Sequence, residues 1–265
     1  MMSAPAREPG VATTIDEVIE QLNDIIAWSI REESRLGFFA ALYRKVTVKV
    51  KEGIAEGRFE NGPRMERLDV TFANRYLKAM DQFRQGQRPT LCWLASFKAA
   101  TSYRPIILQQ LLLGMNAHIN FDLGLAAAEV SPGGELASLE PDFNEINNIL
   151  AGLVGQVQSE IDEVSPWIRF LDHIDPKADV AVVNFSMEKA RGCSWDLAKK
   201  LAPLSPNQWK LHLDLRDVEA TALAELVRHP IGLFLNLGLL AVRSRENHNV
   251  AKVIEVLNQT STEGV

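Results

Sequence analysis

Apolar residues recur at three- and four-residue spacing along most of the chain, the period of helices with one buried face. Ile15, Val18, Ile19, Leu22, Ile25 and Ile26 follow that period behind Thr14-Ile-Asp-Glu17, which reads as a capping box. A second helix is predicted over 35–52, with Leu36, Phe39, Ala40 and Tyr43 on one face. Inside it, Val46-Thr-Val-Lys-Val50 alternates, so a short strand is the competing reading there. After a turn at 57–63, helices are predicted over 63–85, 91–102, 105–128 and 142–164. Asp175-Pro176 and Ser205-Pro206 are cap-plus-proline starts for helices over 177–201 and 206–227. A last helix is expected over 231–258. The pattern is that of an all-α globular bundle of about nine helices with no βαβ alternation, repeat or heptad seam. The expected organisation is a loose tail over 1–13, one helical domain over 14–258 and a short tail over 259–265.

Composition narrows the function classes. The chain has 265 residues, 46% hydrophobic and 23% charged, with a net charge of −6. That supports a sizeable core and excludes disordered, collagen-like and disulfide-framework classes. A pI near 5.5 speaks against sequence-independent nucleic-acid binding, which needs excess Lys and Arg. The start of the chain lacks the apolar run of a signal peptide, and the apolar stretch over 231–242 is too short to span a bilayer. Cys92 and Cys193 read as small hydrophobes, with one bridge between them left open. A cytoplasmic protein whose partner is a small molecule, not nucleic acid or membrane, is the expectation; the oligomeric state is open.

The informative positions are polar residues that interrupt apolar faces. Residues four apart share a helix face, so His118 and Asp122 are neighbours, and so are Asn116 and Asn120 on nearly the opposite side. Leu111, Gly114, Met115 and Leu125 surround the His118/Asp122 face, which places the pair in the interior. His and Asp at that spacing can hold one divalent ion. They can also form a structural hydrogen bond that fixes the imidazole tautomer. Asp69 lies among Met65, Phe72, Ala73, Tyr76 and Met80, again on an apolar stripe. Arg191 falls in the apolar face of its helix, and Arg243, Glu246 and Asn247 share the core face of Leu239, Leu240, Val250, Ile254 and Leu257. A buried Arg either neutralises an internal carboxylate or holds an anionic ligand. Trp93, Trp167, Trp195 and Trp209 read as core residues.

Three segments carry a resemblance. Met65-Glu-Arg-Leu-Asp-Val-Thr-Phe-Ala-Asn-Arg-Tyr-Leu77, Leu111-Leu-Leu-Gly-Met-Asn-Ala-His-Ile-Asn-Phe-Asp-Leu-Gly124 and Asp142-Phe-Asn-Glu-Ile-Asn147 resemble the bacterial and fungal helical family called DUF5995, over about 15–257. The family name supplies no reaction. The resemblance implies that Asp69, Asn74, Arg75, Asn116, His118, Asn120, Asp122 and Asn147 belong to its most recognisable segments. The H-x-x-x-D pattern is also similar to helices of zinc-dependent phospholipases C and nucleases. Those use several further His ligands, and five His in this chain are too few for a trinuclear site.

The functional expectation is an enzyme with a buried polar site. His118 would be a metal ligand or general base, with Asp122 and Asp69 as ligand or charge partner. Arg191 or Arg243 would hold an anionic or carbonyl oxygen, and Asn74, Arg75, Asn116, Asn120, Asn147 and Glu246 would contact substrate. With a divalent metal on His118 and Asp122 the chemistry is hydrolysis of a small, partly apolar substrate. Without one, His118 held by Asp122 serves acid/base cyclisation or isomerisation. The third reading is a ligand-binding or interaction protein without chemistry.

Overall fold

The computed structural model describes residues 10–170 and 187–259, and every regular element among them is helical. α1 is Ile15–Arg31, α2 Gly37–Ala55, α3 Gly62–Arg84, α4 Leu91–Ala100 and α5 Ile107–Met115. A π-helical segment, Asn116–Leu123, joins α5 to α6, Gly124–Val130. α7 is Leu136–Val164, α8 Met187–Leu201, α9 Lys210–Arg228, α10 Leu233–Arg245 and α11 Val250–Leu257.

Local chemistry sets most of the ends. Thr14 Oγ1 accepts from Glu17 N at 3.2 Å and starts α1. The box is half made, because the Glu17 carboxylate turns to Thr13 N at 2.6 Å instead of Thr14 N. Thr14→Ala should lower stability by about 1 kcal/mol, read as a shift in urea midpoint at constant m-value. Asn61 caps α3 by accepting from Arg64 N at 3.0 Å, and Asn249 caps α11 through Lys252 N at 3.0 Å. The alternating Val46-Thr-Val-Lys-Val50 run is helical, inside α2. Thr47 Oγ1 donates back to Tyr43 O at 3.1 Å, which accommodates its β-branched side chain on the helix.

Two hubs organise the packing. α2 packs against α1, α3, α5, α7 and α11. Lys45 of α2 and Glu160 of α7 form a buried ion pair, and Gln156 Nε2 donates to the same carboxylate at 2.8 Å. The π segment is the other hub, enclosed by α3, α4, α8 and α9. Small residues permit both. A Cβ at Gly114 would sit 2.5 Å from the Phe39 ring, and one at Gly124 would sit 2.5 Å from Ser194 O.

Several boundaries differ from the periodicity. The helix expected over 105–128 starts at Ile107 and is π-helical through its centre. α7 begins at Leu136, six residues before the expected start at 142, and contains Pro141. Proline near a helix start removes only one ladder hydrogen bond, so the 131–141 joint is mostly helix. The helix expected over 206–227 opens with a 3-10 turn, Pro206–Gln208, before α9. The single last helix is two, because Glu246 turns extended after α10 and the chain restarts at the Asn249 cap. Leu240, expected in the core, is about half exposed, and so is Trp167. The cap at Asp175-Pro176 and the start of the 177–201 helix lie outside the described residues. Cys92 and Cys193 are free thiols, the first buried and the second exposed. No single described helix is long and apolar enough to cross a membrane; α9 and α10 pass that test only as a pair bent by 75°.

Candidate functional site

The π segment buries all eight of its residues. A widened helical turn displaces carbonyls from their usual donors, and such segments are often found where a side chain is placed for function. Here the neighbouring helices supply donors. Ser194 of α8 donates to Ile119 O, and Arg216 Nε of α9 donates to Asn120 O. Arg216 Nη2 also reaches Asn120 Oδ1 at 3.1 Å. Asn120 Nδ2 then donates to Asn116 Oδ1 at 3.0 Å, and Asn116 Nδ2 donates to Ala220 O at 2.7 Å. Asn116 and Asn120, expected as substrate contacts, therefore fasten the segment to α9 through these bonds.

Opposite that fastening stands His118, 3% exposed. Its ring sits in an aromatic cage. Phe72 stacks on it with centroids 3.5 Å apart and planes 7° from parallel. Tyr43 meets it edge-on at 4.3 Å. Phe39, Trp93 and Tyr76 complete the enclosure at 5.7, 6.0 and 6.3 Å. Phe72 is the one ring of the five that is partly exposed, so it separates His118 from solvent.

The polar atoms of this cage are under-satisfied. Neither ring nitrogen of His118 has a hydrogen-bond partner. Asp122 Oδ2 is 3.7 Å from His118 Nδ1, too long for a hydrogen bond, and accepts instead from Trp93 Nε1 at 2.8 Å. The Tyr43 and Tyr76 hydroxyls and Asp69 Oδ2 are also buried without partners. Each such atom costs about 1–3 kcal/mol, so a cluster of them in one interior asks for a ligand, water or functional explanation.

Burial sets the proton affinities. It holds the His118 imidazole below its usual range, and Asp122 opposes this more weakly. It raises the Asp69 carboxyl to about 7, helped by Glu66. It pushes both tyrosines up, with the Asp69 charge next in effect on Tyr43. Burial thus leaves a neutral imidazole in the cage and, on the α3 stripe that carries Phe72 and Tyr76 and near enough to act on Tyr43, a carboxyl poised near neutrality.

The other expected site residues lie elsewhere. Asn74 clasps Ala12 through two hydrogen bonds of 2.9 Å, N–H to Oδ1 and Nδ2 to O. Arg75 pairs with Glu129 at 2.6 Å, joining α3 to α6. Asn147 is exposed on α7. Arg191 donates to Phe143 O, and its guanidinium stands 4.3 Å over the Phe143 ring; burial lowers its pKa to about 10. Arg243 and Glu246 pair at 3.3 Å in a third place. There Glu246 accepts from Ile107 N at 2.8 Å and Ser165 Oγ at 3.0 Å, and Arg243 Nε donates to Tyr103 O at 2.8 Å. The six buried titratable candidates, whose convergence on one interior the sequence leaves open, therefore divide among separate places. Asp142 holds the start of α3: it accepts from Glu60 N at 2.6 Å and pairs with Arg64.

The metal expectation finds little support in the donor set. His118 and Asp122 supply two donors. Among the described residues no group of three or more His, Cys, Asp or Glu is placed to hold a metal. Sequence reasoning missed Tyr43, Tyr76 and Trp93 as polar members of the site, because their rings fit the apolar period. The available signal was their hydroxyl or N–H, which a buried Tyr or Trp normally satisfies.

No curated protein and no solved structure matches the chain. One family model does, over residues 15–230, and its span includes α1 to α9 and every residue of the His118 cage. The chain belongs to DUF5995, a family of unknown function.

Proposed function

We propose that the protein is a metal-free acid/base enzyme that isomerises or cyclises a small, partly apolar substrate inside the His118 cage. The observation that carries this is His118 itself: buried, held neutral, and with neither nitrogen bonded to the protein. A neutral imidazole with a free lone pair is a competent base near neutral pH. Asp69, with a carboxyl near 7, can return a proton. The Tyr43 and Tyr76 hydroxyls are donors for an oxygen that gains charge as a neighbouring carbon loses its proton. Trp93 keeps Asp122 in place beside the imidazole, where its charge stabilises an imidazolium. The aromatic walls exclude water and suit an apolar substrate body.

Carbon-bound proton exchange in D2O, followed by proton NMR on small apolar ketones, tests this reading. Exchange above the buffer rate that vanishes in folded His118→Leu supports it. Exchange unchanged in that variant contradicts it.

A binding role without chemistry is favoured by one feature. Phe72 rests on the imidazole at 3.5 Å, which leaves no room for a reactant on that ring face. For chemistry, Phe72 must swing outward. Phe72→Ala should raise the rate at which diethyl pyrocarbonate modifies His118 by roughly tenfold or more, since access and not proton affinity limits the native ring. An unchanged rate, mapped by mass spectrometry, would mean that Phe72 is not the cover.

A further inference from the structure

A surface helix normally keeps its outer face polar, and α10 does not. Leu235, Gly238, Leu239 and Val242 are buried on its inner side. On its outer side Leu233, Phe234, Leu237 and Leu240 are 72%, 75%, 54% and 49% exposed. Ile231, in the joint between α9 and α10, is 86% exposed. Exposure therefore rises along α10 toward the joint, where the two helices bend by 75°. The result is a protruding apolar corner.

Charge distinguishes this corner from the rest of the surface. From Leu226 to Arg245 the chain has no Asp or Glu, and it carries Arg228, His229, Arg243 and Arg245. The carboxylates at either end are neutralised: Glu225 pairs with Arg228 at 2.9 Å, and buried Glu246 with Arg243 at 3.3 Å. Exposed Arg245 ends the helix, its guanidinium 4.9 Å over the Trp167 ring. α9 also turns Leu211, Leu215 and Val218 outward, but exposed Asp214 and Glu219 flank them.

We propose that the outer side of α10 seats in the surface of an anionic lipid bilayer. Ile231, Leu233 and Phe234 enter the acyl region, and Trp167 and Arg245 lie at the headgroups. The stretch is too short to cross a bilayer and lies along one side of it. Burial of the corner removes apolar surface from water, and an indole ring and a guanidinium both suit the headgroup layer. The absence of carboxylates lets this corner approach anionic lipid although the whole chain carries −6. A second copy is a poorer occupant, because a closed dimer needs a self-complementary surface and two protruding corners meet over little area.

Flotation of the full chain with vesicles tests this, using phosphatidylcholine alone or mixed about 2:1 with phosphatidylserine. The protein should float with the mixed vesicles and less with phosphatidylcholine alone. Leu233→Ser combined with Phe234→Ser should weaken binding roughly tenfold or more. Arg245→Ser should weaken binding to the mixed vesicles about fivefold. Val154→Ser, at a 64% exposed position on α7, should change nothing. No flotation, equal flotation with both vesicles, or undiminished flotation of the double variant overturns the proposal. A polarity-sensitive fluorophore on Leu237→Cys, with Cys193→Ser removing the exposed native thiol, identifies any other occupant. It should report water in buffer and an apolar surrounding once mixed vesicles are added. An apolar surrounding already in buffer overturns the proposal. If that signal fades on dilution the occupant is a second copy, and if it persists the chain covers its own face. Neither readout depends on turnover, so failure here and failure of the acid/base reading are separately visible.

Discussion

Asp69→Asn should remove a pH slope of roughly 4 kcal/mol from folding stability between about pH 4 and pH 7. In the native protein the Asp69 carboxyl keeps its proton up to about 7, against 3.8 for the free group. Between those values the native state binds more protons than the unfolded chain. Stability attributable to Asp69 therefore falls as pH rises through that window, and the penalty is complete above it. At 1.36 kcal/mol per unit, about three units give the quoted size. Asn keeps the shape and cannot titrate. Glu246 is also raised by burial, from 4.5 to about 7, and adds a slope of the same sign in both proteins. His118, held low, acts in the opposite sense, because the unfolded chain takes up its proton first on acidification. The informative quantity is thus the difference between the two proteins, from urea unfolding at about pH 4 and about pH 7.5. Parallel curves would mean that Asp69 ionises normally and cannot serve as an acid near neutrality.

His118→Leu should separate function from folding. A histidine whose nitrogens are both buried and unpaired costs the native state free energy. Leucine removes that cost but loses the stacking on Phe72. The net expectation is a protein about 1–2 kcal/mol more stable, the signature of a residue kept for use and not for packing. Catalysis by the proposed route should fall by about 10²- to 10⁴-fold, the usual contribution of a positioned general base. A structural His118–Asp122 pair predicts the reverse: a loss of stability of a few kcal/mol, with no specific loss of chemistry. Thermal unfolding and the D2O exchange rate on the same preparation distinguish the two.

How far the sequence reveals this site depends on the residue. Asp69 is legible because a carboxylate on the stripe of Met65, Phe72, Tyr76 and Met80 has no bland surface reading, and it is buried. His118 and Asp122 are legible as interior neighbours, and they are 3.7 Å apart. The bond between them is not there, because the π-helical turn and the Trp93 N–H place the carboxylate elsewhere. Helical spacing carries no sign of that extra residue per turn. Arg191, Arg243 and Glu246 are correctly read as buried, but periodicity gives depth and not location, so their separation from His118 emerges only from packing. The split of the last helix had a local signal, the Asn249 cap, hidden by an apolar period that continues across it.

The most direct test of the account is nitrogen-15 NMR of the His118 imidazole as a function of pH. The ring should be neutral with one bare, non-hydrogen-bonded nitrogen, and should stay neutral below the usual histidine value, near pH 6.5. The signal should also move in Phe72→Ala as solvent reaches the ring. A ring that titrates at or above its usual value, with its Nδ1 proton bonded to Asp122, would contradict it. That result would make His118 a structural partner of the carboxylate.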